Sequence, residues 1–77
     1  MDAKQIGAAI AARRRLLKLT QRDVAELAGI DRRTLSEIES ARGPRGATLT
    51  NLLSVSATLG LELAIEPMGS LTHGRTD

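Results

Sequence analysis

Hydrophobic residues recur at helical spacing in the first part of the chain. Between residues 3 and 19, apolar side chains lie three or four positions apart, as in one face of an amphipathic helix. These positions are Ile6, Ala9, Ile10, Leu16 and Leu17. Arginines and a lysine crowd the end of this stretch, where positive charge interacts favourably with the helix dipole. The pattern predicts a first helix over residues 3–19.

Two short helices joined by a tight turn are predicted next, over residues 21–28 and 32–40. Thr20 and Asp23 resemble a capping box that begins a helix at Gln21. Gly29 can adopt the positive φ that ends this helix, and Asp31 can cap the following one. The positions expected to face inward are Val24, Leu27, Ala28, Ile30, Leu35 and Ile38.

A fourth helix is predicted over residues 49–59, after a loop rich in Gly, Pro and Arg at 41–47. Thr48 is its expected N-cap, and Gly60 is expected to end it. One face of this helix is traced by Leu49, Leu52, Leu53, Ser56 and Leu59.

The stretch after Gly60 has the alternation of a β-strand. Leu61, Leu63 and Ile65 alternate with Glu62, Ala64 and Glu66, and Pro67 follows. No second strand pattern occurs in the chain, so we expect this strand to pair with its copy across a two-fold axis. A short fifth helix is the alternative. We expect a domain over residues 1–60, a dimerisation strand over 61–67, and a disordered tail over 68–77.

Charge is unevenly distributed along the 77 residues. Residues 1–45 carry ten Lys and Arg against six Asp and Glu, a net charge of +4, whereas residues 46–77 have a net charge of −2. A basic half that is predicted to be helical is typical of a protein that binds a polyanion, although a solvated surface would look similar. A chain this short buries only about 60% of its surface on folding, which favours help from a partner.

Composition excludes several functions. Phe, Tyr and Trp are absent, so the aromatic platforms that hold single-stranded nucleic acid are missing. The chain has no Cys and a single histidine, His73, so we expect no disulfide, metal or cofactor. No nucleophile–base arrangement or phosphate-binding glycine loop indicates an enzyme. No apolar run of about 18 residues indicates a membrane span, and a cytoplasmic protein is expected.

The pattern of residues 21–38 resembles the helix-turn-helix of the lambda-repressor-like family. The matching residues are Gln21, Val24, Ala25, Gly29, Ile30, Leu35 and Ile38. This resemblance implies a mainly α fold of four helices, here followed by the strand. Over residues 6–67 the chain is also similar to the HipB-like antitoxins, with TLTNLLSVSATLGLELAIEP as the discriminating part. That similarity implies a homodimer that represses its own operon and binds a kinase-like toxin.

In this interpretation the third helix enters the major groove of duplex DNA, where base edges are distinguishable. The expected base-reading residues are Arg32, Arg33, Ser36 and Glu37, and the expected phosphate-binding residues are Gln21, Thr34, Arg42 and Arg45. Arg33 can instead pair with Glu37 at i, i+4. The family resemblance further implies a structural pair between Arg14 and Glu39, which contributes at most about 1 kcal/mol if it is exposed.

Two other interpretations remain open. The first is a stand-alone phage-type repressor or a restriction-system controller with no toxin partner. The second is a protein-interaction module that does not bind DNA. The cluster of Gln21, Arg32, Arg33, Arg42 and Arg45 argues against the second, since such a module has little need for these residues on one face.

Overall fold

The computed structural model describes residues 2–42, 48–65 and 67. Within them the chain forms four helices, which are α1 (Ala3–Leu16), α2 (Gln21–Ala28), α3 (Arg32–Ser40) and α4 (Leu49–Thr58). α2 and α3 have the bounds expected from the sequence. α1 ends three residues before its expected end and α4 ends one residue early. Met1, Glu66 and residues 43–47 and 68–77 lie outside the described residues, and so do the predictions made for them.

A side-chain cap begins each helix. Asp2, Thr20, Asp31 and Thr48 accept hydrogen bonds from backbone amides three residues later, at 2.9, 3.0, 2.7 and 3.1 Å. At α2 the cap is reciprocal, because Asp23 Oδ2 accepts a bond from Thr20 N at 2.9 Å. The capping box read from the sequence at Thr20 is therefore confirmed. An equivalent box starts α1 at Asp2, where sequence analysis had not identified a cap.

The four helices also end alike. In each, the residue that leaves the helix adopts positive φ, and the next amide bonds back to the carbonyl five residues earlier, the Schellman arrangement. The positive-φ residues are Lys18, Gly29, Ala41 and Gly60, with φ of 60°, 76°, 55° and 71°. The bonds run from the amides of Leu19, Ile30, Arg42 and Leu61 to the carbonyls of Arg14, Ala25, Glu37 and Ser56. Lys18 thus ends α1 earlier than the apolar pattern predicted.

One apolar core joins all four helices. It consists of Ile10, Val24, Ala25, Leu35, Ile38, Val55 and Leu59. The closest packing is between α1 and α3, α2 and α4, and α2 and α3. The core therefore fixes α3 from two sides, with α1 on one and α2 on the other.

Several leucines assigned to inward faces lie outside the core, so that part of the prediction was wrong. Leu27 is 69% exposed, and Leu16, Leu49 and Leu53 are also exposed, while Val55 occupies an inward position on α4. Because successive helical residues are rotated by about 100°, Leu27 and Leu53 each lie roughly 110° from the centre of the face that is buried. Apolar character alone did not distinguish these positions from the core.

Gly7 allows α1 and α3 to approach each other closely. A Cβ atom at this position would lie 2.7 Å from the carbonyl oxygen of Glu39 and would also overlap that of Ile38. A glycine inside a helix weakens it by about 0.5–1 kcal/mol relative to alanine, so close packing is its physical reason here. This contact brings the C-terminal end of α3 against α1.

Residues 61–65 form neither a helix nor a ladder within the single chain. The alternative of a short fifth helix is therefore wrong for these residues. Leu61 packs against the core, whereas Leu63 is 41% exposed and Ile65 is fully exposed. Pairing of this segment across a two-fold axis requires a second copy and stays a prediction.

Candidate nucleic-acid interface

The start of α3 presents an exposed pair of arginines. Asp31 fixes this helix end through its bond to Thr34 N, and hydrogen bonds from Thr34 lower the pKa of Asp31. Arg33 Nε lies 3.6 Å from Glu37 Oε2, and the Arg33 side chain is 89% exposed. The i, i+4 pair considered in sequence analysis is thus present. Such a pair contributes only about 0.2–0.5 kcal/mol, so it leaves the guanidinium available to a stronger partner.

A buried ion pair anchors the other end of α3. Arg14 Nε donates to Glu39 Oε2 at 2.7 Å, and Arg14 Nη2 donates to Glu39 Oε1 at 3.0 Å. The side chains are only 10% and 6% exposed. Arg14 Nη1 also donates to the carbonyl of Leu19 at 3.0 Å, in the turn between α1 and α2. One guanidinium therefore links α1, the following turn and α3.

The environment of this pair favours its charged form. Burial alone raises the pKa of Glu39, but the hydrogen bonds from Arg14 and Gln21, with the charge of Arg14, outweigh burial and leave that pKa below its usual value. The hydrogen bond to Glu39 raises the pKa of Arg14. Both groups are therefore ionised near neutral pH, and their charges are compensated inside the protein.

Gln21 extends this network to the start of α3. Its Nε2 donates to Glu39 Oε1 at 3.0 Å, and its Oε1 accepts a longer bond from Arg32 Nη1 at 3.5 Å. A continuous chain of hydrogen bonds thus runs from Arg14 through Glu39 and Gln21 to Arg32. Gln21 had been expected to bind phosphate. That role stays a prediction, and in the free protein its side chain contacts Glu39 and Arg32.

A basic trough lies beside these residues. It is an open depression of about 670 Å³ at the N-terminus of α2, lined by Arg14, Lys18, Leu19, Thr20, Gln21, Arg22 and Arg32. Lys18, Arg22 and Arg32 are exposed there. Partial positive charge at the helix end adds to these side chains, and such ends bind anions. Lys18 and Arg22 were not among the predicted site residues, although both lie within two residues of the Thr20 cap.

The remaining expected phosphate contacts are not gathered in this trough. Thr34 is half-buried on α3. Arg42 lines a separate apolar groove of about 160 Å³ between α1, α3 and α4, together with Ala3, Ile6 and Leu52. Arg45 lies outside the described residues. The structure brings Arg32 and Gln21 together and leaves Arg42 elsewhere.

Arg13 makes a hydrogen bond that the sequence pattern did not predict. Its Nε donates to the carbonyl oxygen of Leu59 at 2.9 Å, joining α1 to the end of α4. The sequence pattern explained this arginine by the dipole of α1 alone. A bond across 46 positions of the chain leaves no local pattern by which it could be found.

Comparison with known proteins identifies the fold. A model of the helix-turn-helix family matches residues 10–65, which include α2, α3 and α4. The chain belongs to the helix-turn-helix family. No curated protein sequence matches this helix-turn-helix protein. The expected lambda-repressor-like arrangement of four helices is confirmed.

Two solved structures of regulators are similar to this helix-turn-helix protein. One is the restriction-modification controller protein C.AhdI from Aeromonas hydrophila, with 26% identity and a TM-score of 0.72 over 79% of this chain and 89% of that one. The other is a chain of the HipA–HipB–O2–O3 complex, with 25% identity and a TM-score of 0.75 over 87% of this chain and 92% of that one. The fold is that of DNA-binding regulators, which are generally not enzymes.

In residues 2–42, 48–65 and 67, no three His, Cys, Asp or Glu residues are grouped in a way that could hold a metal ion. None of the four helices is long and apolar enough to cross a membrane.

Proposed function

We propose that this helix-turn-helix protein is a sequence-specific transcriptional repressor that binds a palindromic operator in duplex DNA as a homodimer. The observation that carries the proposal is the network from Arg14 through Glu39 and Gln21 to Arg32. It reaches the exposed Arg32 at the start of α3 through a long contact of 3.5 Å from Gln21. A preorganised arginine loses less conformational freedom on binding than a free one.

The exposed face of α3 suits the major groove. An arginine fork meets O6 and N7 of guanine together, and each such contact contributes about 1–3 kcal/mol of discrimination. We therefore assign base reading to Arg32 and Arg33 in the first turn, with Ser36 and Glu37 one turn later. Glu37 then accepts a hydrogen bond from the cytosine amino group once Arg33 has turned to DNA.

Backbone contacts are assigned to the basic trough. A phosphate seated there would meet Lys18 and Arg22 and the first amides of α2, whose helix end favours an anion. Gln21, which also contacts Arg32, remains a proposed phosphate contact together with Thr34, Arg42 and Arg45. These interactions position the protein on DNA but do not read its sequence.

Two copies are needed for useful affinity, because one α3 carries so few base-reading side chains. Repressors of this type place two recognition helices about 34 Å apart, one turn of DNA. We assign dimerisation to the segment containing Leu61, Leu63 and Ile65, whose last two apolar side chains lack cover in the single chain.

We further propose that the repressor is the antitoxin of a HipBA-like module and binds a kinase-like toxin. The C-terminal resemblance to HipB-like antitoxins and the likeness to a chain of the HipA–HipB–O2–O3 complex support this proposal. The likeness to C.AhdI favours a second candidate, a restriction-modification controller. The neighbouring genes separate the two, since a kinase-like gene fits the first and restriction and methyltransferase genes fit the second.

A gel-shift titration on the protein's own promoter, at two salt concentrations, tests DNA binding itself. A repressor shifts promoter DNA at lower concentration than unrelated duplex, and its affinity falls with salt because released counterions accompany each phosphate contact. Equal affinity for both duplexes, or no shift at low salt, would leave a protein-interaction module as the better explanation.

Replacement of Arg32 tests the recognition face. We expect Arg32→Ala to relax discrimination at one base position by about 1–3 kcal/mol, measured on operators with single substitutions. Arg22→Ala is the matched control from the trough. It should weaken binding to all sequences alike and reduce the salt slope by about one, and Arg45→Ala is expected to do the same. Unchanged discrimination in Arg32→Ala would refute the assignment of this face.

A further inference from the structure

The Arg13 guanidinium contacts the point at which the chain leaves α4. Its Nε donates to the carbonyl of Leu59 at 2.9 Å, and Leu59 is almost completely buried. Its Nη2 lies so close to Gly60 that a Cβ atom there would be 3.5 Å away. Arg13 therefore touches the two residues that immediately precede the exposed C-terminal segment.

The bond satisfies a carbonyl that the end of α4 does not use. The amides of Gly60 and Leu61 bond back to the carbonyls of Ala57 and Ser56, at 3.1 and 2.7 Å. The carbonyl of Leu59 lies beyond this motif, and Arg13 is its partner within the described residues. The bond therefore holds the peptide that sets the direction of residues 61–65.

Arg13 and Arg14 connect α1 to two different elements. Arg14 binds Glu39 at the end of the recognition helix, while Arg13 binds the end of α4. The backbones of α1 and α3 are already in close contact at Gly7. α1 and α4 approach each other less closely than the main packed pairs, so a side-chain bond between them matters more.

We infer that Arg13 is a positioning residue that sets the separation and orientation of the two recognition helices in the dimer. The inference rests on the proposed function, in which residues 61–65 join the two copies. Arg13 fixes to α1 the peptide from which that segment starts, and α1 is joined to α3 through Arg14. A dimer without the Arg13 bond keeps its interface but allows its two DNA-binding faces to move relative to each other.

Distance measurement between the two subunits tests this inference directly. The chain contains no cysteine, so Ser40→Cys places one spin label on the exposed end of each α3. Pulsed dipolar spectroscopy then reports the distribution of label separations in the free dimer. We expect Arg13→Met to broaden that distribution. Arg15→Met should leave it unchanged, because it removes the same charge from an exposed position two residues further along α1.

Operators with altered spacing give the functional readout. Each added base pair moves and rotates one half-site, so a rigid dimer should lose about tenfold in affinity when the spacing is wrong. We expect Arg13→Met to reduce this penalty to about threefold, while binding to a single half-site stays as in the wild type. Arg15→Met should retain the full penalty.

The outcomes separate the inference from the proposed function. If the wild type shows no dipolar coupling between labels and no preference for paired half-sites, both the proposed dimeric repressor and the inferred role of Arg13 are contradicted. A narrow distribution in wild type and Arg13→Met alike, with the same spacing penalty, overturns the inference and leaves the repressor intact. If Arg13→Met does not fold, Arg13→Leu decides, because its shorter side chain also lacks a donor for the Leu59 carbonyl. Broadening in Arg13→Leu supports the inference, and an unchanged width overturns it.

Discussion

Arg14 and Glu39 illustrate how burial changes the value of a single ion pair. An exposed pair of this kind contributes at most about 1 kcal/mol. In the folded protein the two side chains are nearly inaccessible, and Glu39 also accepts a bond from Gln21. Removing one charge therefore leaves the other buried without compensation, which typically costs about 3–5 kcal/mol.

We predict that Glu39→Gln lowers the free energy of unfolding by about 3 kcal/mol at pH 7, measured by urea denaturation. The wild-type protein should also lose this contribution in acid. Because the pKa of Glu39 is lowered on folding, the stabilisation is complete above the usual glutamate pKa of 4.5 and is lost as pH falls through the lower folded value. Glu39→Gln should lose less stability over that range.

Glu37→Gln is the control for this prediction. Glu37 lies on the same helix and pairs with Arg33, but that pair is largely exposed to solvent. Its neutralisation should change the free energy of unfolding by less than about 1 kcal/mol at pH 7. If both variants lost the same free energy of unfolding, the buried Arg14–Glu39 pair would contribute no more to stability than the exposed Arg33–Glu37 pair.

At the scale of elements, all four helices end in a residue with positive φ, but that residue is a glycine in only two of them. Gly29 and Gly60 adopt positive φ without a Cβ penalty, whereas Lys18 and Ala41 adopt the same conformation with one. The left-handed conformation costs a non-glycine residue about 1–2 kcal/mol. A glycine in these positions would avoid that cost, but part of the gain would be offset because glycine loses more conformational entropy on folding.

We predict that Lys18→Gly and Ala41→Gly each stabilise the protein by about 0.5–1 kcal/mol, seen as a rise of several degrees in the melting temperature. Ala12→Gly, within α1, is the control and should destabilise by about 1 kcal/mol. Lys18→Gly should also weaken DNA binding, since Lys18 lines the basic trough. A lower melting temperature for both variants would show that these helix ends are not strained.

Local patterns therefore predicted much of the architecture. The caps at Thr20, Asp31 and Thr48 and the glycine ends at Gly29 and Gly60 depend on a few adjacent residues, so they could be read from the chain. The positive φ of Lys18 could not be predicted, because lysine has no preference for the left-handed conformation. Whether Leu27 lies inside or outside depended on which neighbouring helices cover α2, and periodicity does not contain that information.

Some features of the candidate site could likewise be predicted from the sequence, and others could not. The exposed position of Arg32 and Arg33 followed from the helical period of α3, and the Arg14–Glu39 contact was implied by the family resemblance. The trough with Lys18 and Arg22 arises only where the end of α1 meets the start of α2. The Arg13–Leu59 bond likewise depends on tertiary packing, because it joins residues that are 46 positions apart in the sequence.

At the scale of the whole molecule, the single chain leaves its C-terminal segment incompletely covered. Leu61 packs on the core, but Leu63 and Ile65 expose apolar surface to solvent. A groove of about 160 Å³ beside Leu61 and Leu63 is lined by Ile6, Ile10 and Ser56. Apolar side chains at alternate positions of an unpaired segment suit pairing with an identical segment, which covers both copies equally.

We predict that Leu63→Asp converts the dimer to a monomer, measured by sedimentation, and removes most of the affinity for a two-half-site operator. The introduced carboxylate would have to be buried without a partner in each copy, at a cost of several kcal/mol. Ala64→Asp is the matched control, because it adds the same charge to the opposite face of the alternating segment and should leave the dimer intact. Circular dichroism verifies that both variants keep their helices. A Leu63→Asp protein that still sediments as a dimer would place the interface elsewhere, and the spacing of the recognition helices would then not depend on residues 61–65.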